Sequence, residues 1–115
     1  MAQISPEIEE IIRRFIALIQ KERTVLKVIL YGSYAKGVAG EWSDIDVAVI
    51  SNDFSADLFQ ERANLMKLAS GVDERIEPTP FRPGDFNEND PLVDQINRSG
   101  AEIQIMPTYS ALRAE

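Results

Sequence analysis

Hydrophobic and polar positions along this 115-residue chain predict helices and strands that follow one another in turn. Apolar residues recur at helical spacing from Ile8 to Ile19, just after Ser5-Pro6, a pair typical of a helix start. The apolar run from Val25 to Tyr31, interrupted only by Lys27, then predicts a buried strand. After a loop of small residues, a second apolar run ends at Ile50 and predicts another strand.

The second half of the chain continues this alternation. Ser55 is expected to cap a helix that ends near Ser70. The segment Arg75–Phe81 predicts a strand, and its two prolines demote it to a short strand or to the edge of a sheet. Asp90-Pro91 opens another predicted helix, and the alternating segment Glu102–Ile105 predicts a last strand with one buried face.

Two aspartates in the second predicted strand are candidates for chemistry. Asp44 and Asp46 are two residues apart, so their side chains share one face of a strand. Two like charges within an apolar segment are unfavourable unless a cation lies between them. Carboxylate oxygens suit a hard divalent ion, and Mg²⁺ commonly combines one or two carboxylates with substrate phosphates. The pair therefore predicts a magnesium site.

The turn after the first strand offers groups that bind phosphate. Gly32 and Ser33 provide backbone N–H groups and a hydroxyl where a strand turns toward a helix. Lys36, on the short helical turn that follows, either reaches a triphosphate or is solvated. Trp42, in the next loop, either covers that loop or stacks on a nucleobase. A metal-binding carboxylate pair that faces a phosphate cradle is typical of phosphoryl or nucleotidyl transfer.

Composition narrows the chemistry further. The chain contains no cysteine and no histidine, which excludes disulfides, zinc–thiolate sites and histidine bases and leaves carboxylates as the proton acceptors. Its formal net charge of −7 disfavours binding to a long nucleic acid. The sequence contains neither a recognisable signal peptide nor a membrane-spanning segment, so we expect a cytoplasmic protein with no membrane partner.

Two short motifs carry a resemblance to a known family. They are GSYAKG at Gly32–Gly37 and SDIDV at Ser43–Val47. Together they resemble the signature of the DNA polymerase β-type nucleotidyltransferase superfamily, and more narrowly of its minimal nucleotidyltransferases (MNT). The resemblance extends from Ile4 to about Met106. It implies an α/β (α+β) fold with a small mixed β-sheet flanked by helices, in a nucleotidyltransferase domain over residues 1–107 that is followed by a C-terminal tail, 108–115.

The resemblance also implies a third carboxylate, on the strand after the crossover helix, and Glu77 is the match there. The chain departs from the family pattern because it has glutamate in place of aspartate and Pro78 directly after it. Asp73 and Glu74 are rivals that lie nearer a turn, and an exposed edge-strand charge is the other role open to Glu77. The implied ligands of a two-Mg²⁺ site are Asp44, Asp46 and Glu77, with Gly32 and Ser33 binding the nucleotide.

A reaction and a partner follow from the same resemblance. MNT proteins transfer a nucleoside monophosphate from a nucleoside triphosphate, here AMP from ATP, and typically pair with a HEPN-type helical protein in a toxin–antitoxin system. We therefore expect this chain to be the antitoxin that adenylylates such a partner. Two alternatives are open: transfer to a small molecule such as an aminoglycoside, bound between the subunits of a homo-oligomer, and a non-catalytic module that masks its partner by contact alone.

Overall fold

The structure, a computed structural model, describes residues 4–105. Helices and strands alternate along these residues in the order that the sequence predicts. The elements are α1 (Pro6–Gln20), β1 (Lys27–Tyr31), α2 (Ser33–Lys36), β2 (Ile45–Ile50), α3 (Leu58–Ser70), β3 (Ile76–Phe81), a 3-10 turn (Pro83–Asp85), α4 (Pro91–Ser99) and β4 (Ala101–Glu102).

A four-stranded mixed sheet in the order β3-β2-β1-β4 lies between the helices, so the predicted fold class is confirmed. β2 pairs antiparallel with β1 and parallel with β3, and α3 makes the crossover between the two parallel strands. One face of the sheet packs on α1 and α3 in the larger apolar core. The other face packs on α4 through Ala48 and Ile50 of β2, and by strand alternation it also carries Asp46. In the part of the chain that the structure covers, the helices are too short or too polar to cross a membrane.

The two prolines of β3 are tolerated because of where their nitrogens point. The Ile45 N–H donates to the Arg75 carbonyl at 2.7 Å, so the odd-numbered residues of this strand turn their backbone groups toward β2. Pro78 and Pro80 are even-numbered, and their missing N–H groups therefore fall on the free edge of the sheet. The predicted edge strand is confirmed, and this edge lacks donors that would pair with a further strand.

The cap of α3 is Asp57 rather than the predicted Ser55. Asp57 Oδ1 accepts a hydrogen bond from Gln60 N at 3.1 Å, and the helix begins at Leu58. The Ser55 hydroxyl accepts from Asp57 N at 3.2 Å instead. The Ser55 amide is held by the buried carboxylate of Glu61 at 2.8 Å, so the chain is still turning at the position where the sequence predicts the cap.

The last strand is shorter and earlier than predicted, Ala101–Glu102 rather than 102–105. Ile103 N still donates to the Val28 carbonyl at 2.9 Å. The carbonyl of Gln104, however, accepts from Arg13 Nη1 at 2.7 Å, which directs the chain away from the sheet toward α1. The predicted end of the domain at 107 and the predicted tail, 108–115, lie outside the described residues.

Candidate active site

The turn between β1 and α2 brings a glycine against an aspartate. Gly32 has φ +74° and ψ −151°, a backbone conformation that is nearly exclusive to glycine. A Cβ atom at this position would overlap Asp46 Oδ2 and lie 3.2 Å from Asp46 Cγ. Because Gly32 has no side chain, the carboxylate lies directly beside the backbone of the turn. The predicted phosphate-binding turn and the acidic strand therefore adjoin.

Three polar side chains lie in one row across the sheet. In the strand register, Asp46 is opposite Tyr31 of β1 and Glu77 of β3. The sequence predicts both aspartates within β2, but the strand begins at Ile45 and contains only Asp46. Asp44 immediately precedes it. Burial, and then the like charges of Asp44 and Glu77, raise the pKa of the Asp46 carboxyl above its ordinary value of 3.8. Asp44 and Glu77 thus lie near enough to Asp46, at one end of β2, for their charges to act on its carboxyl.

The two aspartates lack a cationic partner among the residues that the structure describes. In residues 4–105, no lysine or arginine forms an ion pair with Asp44 or Asp46. Asp46 is partly buried and Asp44 is exposed, and carboxylate oxygens of this kind suit a hard divalent cation. Over the same residues, no three acidic side chains are close enough together to enclose a metal ion. The aspartate pair completed by substrate phosphates is a donor set that fits Mg²⁺, and Glu77 as a third ligand stays a prediction.

Glu77 has a partner of its own in α3. Its Oε2 lies 3.3 Å from Arg62 Nη2, which reaches Glu77 from the crossover helix. Both side chains are half-exposed, and ion pairs of this kind contribute little to stability because solvent screens them. Glu77 is nevertheless close enough to Asp46 to raise its pKa. The carboxylate is accordingly held only weakly by Arg62.

The rival carboxylates Asp73 and Glu74 lie elsewhere. Asp73 accepts from Arg75 Nε at 3.0 Å and from Arg75 Nη2 at 2.9 Å, and these bonds lower the pKa of its carboxyl. Glu74 is exposed in the turn before β3. The charges that act on Asp46 come from Asp44 and Glu77. Glu77 therefore stays our prediction for the third carboxylate.

The residues after Gly32 form the predicted helical turn. Its four residues, α2, begin at Ser33, and the first amides of a helix have no acceptor within it. Ser33 directly follows Gly32, whose backbone adjoins the Asp46 carboxylate. Lys36 is exposed at the last position of α2, which agrees with the solvated alternative. Whether Lys36 reaches a triphosphate stays a prediction.

The α2–β2 loop, residues 37–44, leads from the phosphate-binding turn to the aspartates. Trp42 is 84% exposed and Val38 is 72% exposed. The alternative in which Trp42 covers the loop is therefore wrong, because a covering ring would be packed against it. Stacking on a nucleobase stays a prediction. Both apolar side chains are exposed in the loop that joins the Gly32 turn to the aspartates.

Two hydroxyl groups next to the carboxylates are missing from the sequence-based prediction. Tyr31 OH and Thr79 Oγ1 are 3.2 Å apart on the same face of the sheet as Asp46. Burial raises the pKa of the Tyr31 phenol, although its hydrogen bond with Thr79 opposes the shift. The pair gives the site a neutral, hydrogen-bonding wall. Strand register is the signal that finds it: once β1 and β3 flank β2, alternation places both hydroxyls beside the carboxylates.

Known nucleotidyltransferases are similar to this chain in sequence and in fold. Residues 8–96 match the family model of the nucleotidyltransferase domain. A protein of Methanocaldococcus jannaschii that carries the provisional name of a protein adenylyltransferase is 31% identical in an alignment 104 residues long, which covers 84% of this chain and 99% of that protein. Residues 8–96 include both the Gly32 turn and the pair Asp44 and Asp46.

Solved structures show the same similarity. One chain of a toxin–antitoxin crystal structure with AMP-PNP has a TM-score of 0.61 and 25% identity, over 92% of this chain and 80% of that chain. One chain of a mutant of the toxin–antitoxin pair MntA-HpeT has a TM-score of 0.57 and 27% identity, over 86% of this chain and 76% of that chain.

Proposed function

This chain belongs to the nucleotidyltransferase domain family and is a nucleotidyltransferase, and from that premise we propose that it transfers AMP from ATP to a partner protein in a Mg²⁺-dependent reaction. The observation that carries the proposal is the position of the Asp46 carboxylate directly beside Gly32. A triphosphate bound at the turn would lie beside the aspartates, and a cation held by the aspartates would neutralise its charge. The turn alone would bind the triphosphate and the aspartates alone would bind the cation, but neither would align the two.

The residues of the site divide the work of the reaction. The amides of the Gly32 turn and the Ser33 hydroxyl donate hydrogen bonds to the β- or γ-phosphate, while Asp44 and Asp46 hold the metal. When bound, the metal neutralises charge on the triphosphate and lowers the pKa of the attacking hydroxyl. The acceptor oxygen bonds to the α-phosphorus of ATP. The bond between the α-phosphorus and the oxygen that bridges it to the β-phosphorus breaks, and pyrophosphate leaves. Glu77 accepts the proton of the acceptor hydroxyl, and the chain has no histidine to compete for it.

The acceptor in this proposal is a HEPN-type helical protein, the toxin of a pair in which this chain is the antitoxin. The similar proteins support it, since one carries the provisional name of a protein adenylyltransferase and others come from toxin–antitoxin complexes. The exposed side chains of Val38 and Trp42 beside the site suit burial against a protein surface. The net charge of −7 favours a basic partner.

Transfer is tested with ATP labelled on either its α- or its γ-phosphate, incubated with this chain and the product of the neighbouring gene and resolved on a denaturing gel. We expect the partner band to take label from the α-phosphate only, because AMP and not phosphate is transferred. Removal of Mg²⁺ with EDTA should abolish the label, since the aspartates alone cannot bridge to the triphosphate. Label from the γ-phosphate would instead identify a kinase.

The same assay separates the alternatives. Label on an added aminoglycoside, with none on protein, would replace the protein acceptor by a small molecule. A complex that forms and suppresses the toxin without any label would identify masking by contact.

The assignment of Glu77 is tested against its sequence neighbour Glu74. Glu77→Gln removes the proposed proton acceptor and should lower the rate of transfer about 100-fold. Glu74→Gln makes the same change in charge on an exposed turn residue and should leave the rate within about twofold. Initial rates of labelling at saturating ATP give the comparison. Equal rates for the two variants would show that another group takes the proton.

A further inference from the structure

A largely buried ion pair stands at the base of β3. Asp73 accepts from Arg75 Nε at 3.0 Å and from Nη2 at 2.9 Å, and its Oδ1 also accepts from the Arg75 backbone N–H at 2.9 Å. The side chains are 25% and 18% exposed for Arg75 and Asp73. Two parallel bonds between a guanidinium and a carboxylate fix the plane of the guanidinium. Asp73 therefore determines where the third nitrogen of Arg75 points.

That third nitrogen, Nη1, faces the α2–β2 loop. It donates to Tyr34 OH and to the backbone carbonyl of Glu41, both at 3.1 Å. Tyr34 OH in turn donates to the carbonyl of Gly40 at 3.3 Å. Each hydrogen of Nη1 thus has an acceptor, one in α2 and one in the loop. The loop is held by the side chain of Arg75, the residue just before β3, and the Asp73 carboxylate keeps that side chain in place.

The backbone of the same residue holds the start of β2. The carbonyl of Arg75 accepts from Ile45 N at 2.7 Å, between Asp44 and Asp46 in the sequence. Arg75 therefore contacts α2, which begins at Ser33, the loop that follows it, and the strand that bears the aspartates. These are the segments whose relative placement sets the distance from the phosphate-binding turn to the carboxylates.

We propose that Arg75 is a positioning residue for nucleotidyl transfer, which braces the α2–β2 loop and thereby fixes the aspartates relative to the phosphate-binding turn. In this role Arg75 touches neither metal nor phosphate. The kinetic part of this inference rests on the proposed function, whereas the bracing of the loop does not.

Lysine would not fill the role. Its single ammonium lacks the planar fork that binds Asp73 with two nitrogens while presenting a third to Tyr34 and Glu41. Arg75→Lys keeps the charge and loses this geometry, whereas Arg75→Gln loses both. The two variants together separate the effect of geometry from that of charge.

Trp42 reports on the loop directly. It is the only tryptophan of the chain, it follows Glu41, and it is 84% exposed, so its fluorescence anisotropy measures the local motion of the loop. We expect Arg75→Gln and Arg75→Lys to lower the anisotropy of the ligand-free protein, because the loop gains local freedom. Arg98→Gln is the matched control. Arg98 is 78% exposed in an ion pair on α4, and its loss removes the same charge without touching the loop.

Kinetics supply the second readout. Arg75→Gln should lower kcat about 10- to 100-fold, because small displacements of aligned groups are costly, while the KM for ATP changes less than about threefold. Tyr34→Phe keeps the ring and removes only the hydroxyl that joins Arg75 to Gly40. It should change anisotropy and kcat in the same direction by a smaller factor, about threefold in kcat. If Arg75→Gln does not show a cooperative unfolding transition, it is not properly folded. The anisotropy and kcat of Tyr34→Phe then test whether Arg75 braces the loop.

Two results would overturn the inference: unchanged Trp42 anisotropy and kcat in a folded Arg75→Gln variant, or wild-type behaviour of Arg75→Lys, which would reduce the role to charge. A wild-type protein that labels no acceptor would refute the proposed function instead. In that case a lowered anisotropy in Arg75→Gln would still support the bracing of the loop.

Discussion

Simultaneous replacement of Asp44 and Asp46 by asparagine is expected to lower AMP transfer about 1000-fold or more while leaving the fold intact. Asparagine keeps the size of aspartate but loses the charge that holds a divalent ion against the triphosphate. A loss of this size corresponds to about 4 kcal/mol of transition-state stabilisation, which is within what a metal centre contributes. Initial rates of labelling from α-labelled ATP, at saturating ATP and Mg²⁺, measure it.

The same variant should be more stable than the metal-free wild type at neutral pH. Asp46 has a raised pKa in the folded chain, so its contribution to stability is fully present below the ordinary value of 3.8 and is lost as the pH rises through the raised value. The neutral asparagines avoid this loss. Because solvent screens an open site, we expect a gain of only about 0.5–1 kcal/mol in the free energy of unfolding at pH 7. Denaturant titrations with EDTA, at acidic and neutral pH, measure it.

A matched control changes the charge equally at a distance from the site. Asp85→Asn with Glu88→Gln neutralises two exposed carboxylates beyond the other end of β3, and should leave both transfer and its pH dependence unchanged. If the variant with both aspartates replaced still transfers AMP, residues other than Asp44 and Asp46 must bind the metal. Loss of transfer with full suppression of the toxin would show that the antitoxin acts by masking.

The elements that carry the site could be predicted because their determinants lie close together in the sequence. The Ser5 hydroxyl accepts from Ile8 N at 3.2 Å, as the helix-start pattern predicts. Continuous apolar runs mark β1 and β2, which are buried on both faces over most of their length. The expectation that Asp44 and Asp46 share one face also required only the alternation of a strand, and it stays a prediction because Asp44 lies just before β2. Each of these inferences draws only on residues that are near one another in the sequence.

Contacts between distant segments could not be predicted in this way. Arg62 and Glu77 are 15 residues apart, and Arg75 and Tyr34 are 41 apart. The sequence does not distinguish a solvated arginine from one that holds a loop. The difference depends on which carboxylate or carbonyl the fold brings within hydrogen-bonding distance. The placement of Glu77 beside Asp46 came from the family resemblance and not from the residues of β3, whose prolines indicated only an edge.

Replacing Gly32 by alanine adds one methyl group to the site. We expect this to lower stability and transfer more than the addition of a methyl group at any other position of the site. The backbone at +74° and −151° is strained for a residue with a Cβ, which costs about 1–3 kcal/mol. The added atom would also overlap Asp46 Oδ2 and force the carboxylate away from the turn. Because reacting groups tolerate little displacement, transfer should fall at least about 100-fold at temperatures where the variant is folded. Gly84→Ala is the control, since a Cβ there has no neighbour within 4 Å.

A double-mutant cycle with Asp46→Ala separates strain from overlap. Truncation of Asp46 removes the overlapping carboxylate and leaves its Cβ 3.4 Å from the Cβ of the new alanine, an ordinary van der Waals contact. Gly32→Ala should therefore cost less stability in the Asp46→Ala background than in the wild type, and the remaining cost is that of the backbone conformation. If Gly32→Ala lowers the free energy of unfolding equally in both backgrounds, the Asp46 carboxylate does not overlap the added Cβ. The phosphate-binding turn and the aspartate would then be neighbours without the close approach on which the proposed reaction depends.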